Sequence, residues 1–124
     1  MAGTLTISTL SDGTNSTSTT NLTKAPCVAW ANWNGSGGAT IRASYNVSSV
    51  TRNSTGNYTV NFTNALADAN YSIVFGKNIN NSISSSDTVI PQGYAVSSTQ
   101  CAVGAVTYQG TFYDMQTWSI ACFR

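Results

Sequence analysis

The sequence predicts an all-β fold: an antiparallel β-sandwich, jelly-roll-like, carrying an extended N-terminal arm. Three observations predict it. Tyr58, Val60 and Phe62 are apolar while Asn57, Thr59, Asn61 and Thr63 between them are polar, a period of two that sets one face on a core and the other in water. The same alternation recurs over Ile41, Ala43, Tyr45 and Val47, and again over Tyr71, Ile73 and Phe75, so several half-buried strands follow one another as in an antiparallel sheet. Finally, Ser, Thr and Asn abound, glutamate is absent and helix formers other than Ala are scarce, a composition suited to strands and turns.

Taken in order, residues 1–26 read as an arm and 27–124 as the folded body. In the arm, Leu5 and Ile7 alternate with Thr4, Thr6 and Ser8 as one short strand. The stretch from Ser11 to Pro26 then holds almost nothing apolar. Such a segment buries too little to offset its own ordering entropy, so it is either a flexible arm or an extended strand ordered by a neighbour. Pro26 closes it and favours an extended Ala25.

Cys27 to Trp33 is the first body strand, with Val28 and Trp30 on one face and Ala29, Ala31 and Trp33 on the other. Asn34 to Gly38 is a turn by composition. Thr40 to Ser48 is a strand with a bend expected at Ser48–Ser49. Asn53 to Gly56 is a hairpin link needing a positive φ, and Asn57 to Thr63 returns. Asn64 to Asn70 is a turn, and Tyr71 to Gly76 a strand. Lys77 to Asp87 is the most polar loop. Thr88 to Ser97 resumes a strand, with an interruption expected at Pro91-Gln92-Gly93, because Pro91 cannot donate to a ladder and marks an edge strand or a corner. Val103 and Ala105 alternate with Gly104 and Val106. The last strand aligns Trp118, Ile120 and Cys122 on one side and suits the centre of a sheet. About eight body strands with regular turns indicate a sandwich.

At 124 residues the chain is one domain. Only 7% of residues are charged and the formal net charge is +1, so no electrostatic footprint for nucleic acid or anionic lipid is present. No apolar run is long enough for a membrane-spanning helix, so membrane insertion is not expected. The N-terminus has neither a basic region nor an apolar block, so no secretory signal is expected. Histidine is absent, and with it the usual switch near neutral pH. Three cysteines, Cys27, Cys101 and Cys122, cannot all pair within one chain. They read as small buried apolar side chains, the alternative being one bridge and a spare thiol.

The run from Ala29 to Val74 resembles a module of bacteriophage tail-fibre and related virion surface proteins. The resemblance rests on Ala29-Trp30 with Asn32 and Asn34-Gly35, on Ile41-Arg42 through Ser49, on Gly56 through Thr63, and on Leu66 through Tyr71. It implies a β-rich virion protein made in the host cytoplasm and assembled into the phage particle as a homotrimer. It also implies host attachment or, alternatively, a structural role such as capsid decoration, with the arm contacting other virion proteins. A host-surface glycan or protein would be the external partner.

Catalysis is hard to build from these residues. Without histidine or glutamate, Ser-His-Asp and Cys-His arrangements are excluded. Of the four acids, Asp12 and Asp68 sit in turn sequences, where Asp binds its own backbone. Asp87 and Asp114 border strands and remain the only candidates for a carboxylate pair. No enzyme activity, cofactor or metal site is expected. Asn-x-Ser/Thr triplets recur along the chain, for example at Asn57 and Asn61, and follow from Asn and Thr alternating on polar strand faces. Trp30, Trp33 and Trp118 read as core. The candidate binding residues are Lys77, Asn78, Asn80 and Asn81 in the polar loop, which would offer amide groups to a glycan. Tyr94 and Tyr113, near breaks in the pattern, would offer aromatic faces.

Overall fold

The computed structural model describes residues 3, 6–19, 26–78 and 89–124. Among them ten strands form: β1 (Thr9–Ser11), β2 (Ser16–Ser18), β3 (Cys27–Asn34), β4 (Thr40–Tyr45), β5 (Val47–Ser54), β6 (Asn57–Phe62), β7 (Ser72–Asn78), β8 (Val89–Ala95), β9 (Gln100–Thr107) and β10 (Thr117–Phe123). The eight body strands make two antiparallel four-stranded sheets, ordered β4-β3-β10-β7 and β5-β6-β9-β8. The sheets pack face to face, as the alternation requires. Ala29, Ala31, Trp33, Trp118, Ile120 and Cys122 from the first meet Val50, Tyr58, Val60, Phe62, Cys101, Val103 and Ala105 from the second in one buried cluster. Among the described residues no helix is long and apolar enough to cross a membrane.

The centre of the core is aromatic. Trp33 and Trp118 stack with centroids 5.5 Å apart and planes 3° apart. Tyr58, reaching in from the opposite sheet, meets both rings edge-on at 6.0 and 5.9 Å. Such contacts add to the large area these rings bury. At the other end Phe62 and Tyr71 pair edge-on at 5.7 Å. β10 lies between β3 and β7, the central position its apolar side predicted. β8 lies at an edge with Pro91 within it, and the strand runs unbroken from Val89 to Ala95.

Three expectations need correction. Trp30 is not in the core: it is 39% exposed on the outer face, because alternation within β3 sends it away from Trp33. Ala43 and Tyr45 also face outward, although Ile41 packs against the core. A register shift against Asn32/Trp33 inserts Arg42 as an extra residue and reverses the alternation. The bend expected at Ser48–Ser49 lies at Asn46, whose φ is 54°. Asn tolerates this left-handed conformation, and its side chain secures it. Nδ2 donates to the carbonyls of Val28 and Asn64, and Oδ1 accepts from the Asn64 N–H. That turn carries the chain from one sheet to the other.

The hairpin between β5 and β6 closes through Thr55-Gly56, with Gly56 at φ 64°. Its neighbours leave no room for a side chain: a Cβ there would stand 2.6 Å from the Tyr113 nitrogen and 2.8 Å from the Ala105 oxygen. In the arm, the short strand expected over Thr4–Ser8 does not form at Thr6–Ser8, and Thr4 and Leu5 lie outside the described residues. β1 and β2 pair instead as a small hairpin around Asp12-Gly13. Asp12 Oδ1 accepts from the backbone N–H groups of Thr14 and Asn15, the turn role its sequence indicated.

Candidate functional site

The outer face of the sheet β5-β6-β9-β8 carries a shallow groove of about 470 Å³. Its floor exists because β9 turns small residues outward. Cys101, Val103 and Ala105 take the inward positions, leaving Ala102 and Gly104 facing solvent. Register places Ala102 between Thr59 and Tyr94, and Gly104 between Asn57 and Gln92. Two walls therefore flank a floor with almost no side chains. One wall is Asn57 and Thr59, backed by Asn53 from β5, and the other is Gln92 and Tyr94 from the edge strand. Phe112 adds an aromatic lining residue; it is 52% exposed and bridged to Val106 on β9.

The lining has no charged side chain. Asn53 Nδ2 donates to Asn57 Oδ1 at 3.1 Å and to Thr59 Oγ1 at 2.9 Å, which orients that wall. Tyr94 is 66% exposed and presents its ring beside the floor. Amides and hydroxyls supply donors and acceptors in fixed directions, and the aromatic rings supply apolar faces. That combination binds neutral, polar molecules that alternate hydroxyl groups with apolar C–H faces.

The acids among the described residues hold structural posts. Asp114 Oδ1 accepts from the Tyr58 hydroxyl and from the Gly56 N–H at 2.7 Å, while Oδ2 takes the Arg52 guanidinium at 2.6 Å. Burial alone would raise the Asp114 carboxyl, but Arg52, the Gly56 N–H and the Tyr58 hydroxyl outweigh it and hold the group below the usual carboxylate range. Burial first, and Asp114 second, push the Tyr58 hydroxyl up. Asp68 accepts from the Asn70 N–H at 2.7 Å, as its turn sequence indicated, and pairs with Arg124 at 2.6 Å. Asp114 thus faces a cation rather than a second carboxylate, and Asp87 lies outside the described residues. Among the described residues no cluster of three or more Cys or Asp side chains could hold a metal ion.

Of the sequence-predicted binding residues, Tyr94 belongs to the groove. Tyr113 is 42% exposed and is held beside Gly56 by its N–H, which donates to the Ala105 carbonyl. Lys77 and Asn78 are not in a loop. They end β7, opposite Trp118 and Thr117 of β10 in the other sheet. Asn80 and Asn81 lie outside the described residues. The structure therefore does not gather the predicted set into one place. Asn53, Asn57, Thr59, Gln92 and Phe112 were missed, because a groove made from four strands depends on their pairing. The available signal was the outward Ala102 and Gly104 opposite a row of Asn and Thr. The chain matches no protein-family model, no curated protein and no solved structure.

Proposed function

We propose that this chain is a non-enzymatic attachment module of a bacteriophage particle, and that it grips neutral glycan on the host surface through the groove beside Tyr94. The observation that carries the reading is the groove itself: an uncharged trough walled by Asn57, Thr59, Gln92 and Tyr94 over the floor of Ala102 and Gly104. Pyranose rings offer hydroxyls to such amides and an apolar C–H face to such a ring. The virion part of the reading rests on the resemblance of residues 29–74 to tail-fibre modules. The engagement of Asp68 and Asp114 with arginines supports binding without hydrolysis. A homotrimer would multiply weak single sites into firm attachment, and the arm would tether it to other virion proteins.

Competition tests this reading. Purified protein at saturating concentration is expected to block adsorption of the phage to its host, and full adsorption would refute attachment. Solution mass at micromolar concentration tests the trimer.

A second reading, capsid decoration, is favoured by the opposite face. Register aligns Tyr45, Trp30, Ala121 and Val74 in one row across β4-β3-β10-β7. Tyr45 and Val74 are each 57% exposed, and an exposed apolar row of this kind suits a protein contact. Cryo-electron microscopy of labelled particles separates the two readings by placing the chain on the tail or the shell.

A further inference from the structure

Cys101 and Cys122 are fully buried free thiols on opposite sheets. Cys101 lies on β9 between Val60 and Ala95, and Cys122 lies on β10 between Ala29 and Ile73. Alternation turns both inward, Cys101 with Val103 and Ala105, Cys122 with Trp118 and Ile120. Tyr71 shows that they share one end of the core. Its backbone leads into Ser72, opposite Phe123 and so next to Cys122. Its hydroxyl lies 2.9 Å from the carbonyl of Gln100, next to Cys101. Both thiols therefore point into the gap between the sheets at that end of the core. Cys27 stands apart, half-buried at the start of β3, with its Sγ directed to the Ala29 carbonyl.

We infer that Cys101 and Cys122 are an oxidation site that closes into an intersheet disulfide, with a small-molecule disulfide such as oxidised glutathione as the oxidant. One of the two thiols, as its thiolate, attacks one sulfur of oxidised glutathione; the glutathione S–S bond breaks and one glutathione thiolate leaves. The other, losing its proton, then attacks the first cysteine's Sγ in the mixed disulfide and expels the second glutathione. Two protein thiols are oxidised, one glutathione disulfide is reduced, and the two protons end on the two glutathione sulfurs. A tripeptide does not enter the closed core, so exchange proceeds through transient opening of the sheets or during folding. Once formed, the bond joins central strands of the two sheets and shortens the loops available to the unfolded chain.

The test uses the full chain, refolded at pH 8 with oxidised glutathione or with a thiol reductant. The oxidised sample is expected to lose two hydrogens in intact mass and to map Cys101 to Cys122. It is expected to melt about 10 °C above the reduced sample, a difference that reductant abolishes. Cys27→Ser is expected to change none of this. Both readouts are made on the unsubstituted chain, so no variant needs to fold. Mapping that pairs Cys27, glutathione that stays on Cys101 or Cys122 without bridge formation, or a bridged form that melts no higher than the reduced one would each overturn the inference.

Discussion

The Tyr58 hydroxyl lies 2.5 Å from Oδ1 of Asp114, and this contact ties the middle of the aromatic core to the segment that leads into β10. The same hydroxyl is 3.0 Å from the Gly35 carbonyl, while the Gly35 N–H donates to the Met115 carbonyl at 3.0 Å. One phenol therefore links the β3–β4 turn to the segment before β10. Removing only that oxygen should show its value. Tyr58→Phe keeps the ring against Trp33 and Trp118 and is expected to lower unfolding stability by about 1–2 kcal/mol, measured by urea denaturation. An unchanged midpoint would mean that the hydroxyl bond is not needed.

The acid dependence of stability follows from the same carboxylate. Asp114 has a lower pKa folded than its ordinary unfolded value of about 3.9. Its contribution is then fully present above that value and is lost as pH falls through the depressed folded pKa. With no histidine in the chain, Tm is expected to be nearly flat from about pH 5 to pH 8 and to fall below about pH 4. Asp114→Asn should make that fall shallower. Calorimetry at stepped pH checks both, and an equal acid slope in the variant would contradict the assignment.

Two tryptophans that look alike in the sequence should behave differently. Trp118 is fully buried against Trp33, whereas Trp30 is 39% exposed. Trp118→Ala is expected to cost about 3–5 kcal/mol, a large share of the about 5–15 kcal/mol by which ordinary domains are stable. Trp30→Ala is expected to cost about 1 kcal/mol or less. Chemical denaturation of the two variants in parallel decides, and similar losses would mean that the strand parity is wrong.

Gly56 offers a backbone test of the hairpin. Its φ of 64° and the Tyr113 nitrogen 2.6 Å from a would-be Cβ act together. Gly56→Ala is expected to destabilise by more than about 1 kcal/mol, beyond the strain of a left-handed alanine alone. A neutral result by thermal melting would show that the β5–β6 turn and the segment at Tyr113 can move apart freely.

Much of this fold was legible because a period of two needs no partner to be read. Tyr58, Val60 and Phe62 are buried as their spacing required, and Trp118, Ile120 and Cys122 line the inner side of a central strand. What failed were features decided between strands. The parity of Tyr45 depends on a bulge against Asn32/Trp33, which one strand does not reveal. The turn at Asn46 depends on three hydrogen bonds from its side chain to residues far along the chain. The candidate site was legible only at Tyr94. Its other walls come from β6 and β5, and its floor from the outward side of β9, so the groove appears only once β6, β9 and β8 are set side by side.

Binding of neutral oligosaccharides on a glycan array, followed by titration of the best ligand against the unsubstituted chain and Tyr94→Ala, tests the groove most directly. Tyr94 is 66% exposed, so the variant should keep its Tm. It is expected to lose about tenfold in affinity, while Tyr45→Ala on the opposite face should bind as before. Binding confined to anionic glycans, or an affinity that Tyr94→Ala leaves unchanged, would contradict the assignment of this groove.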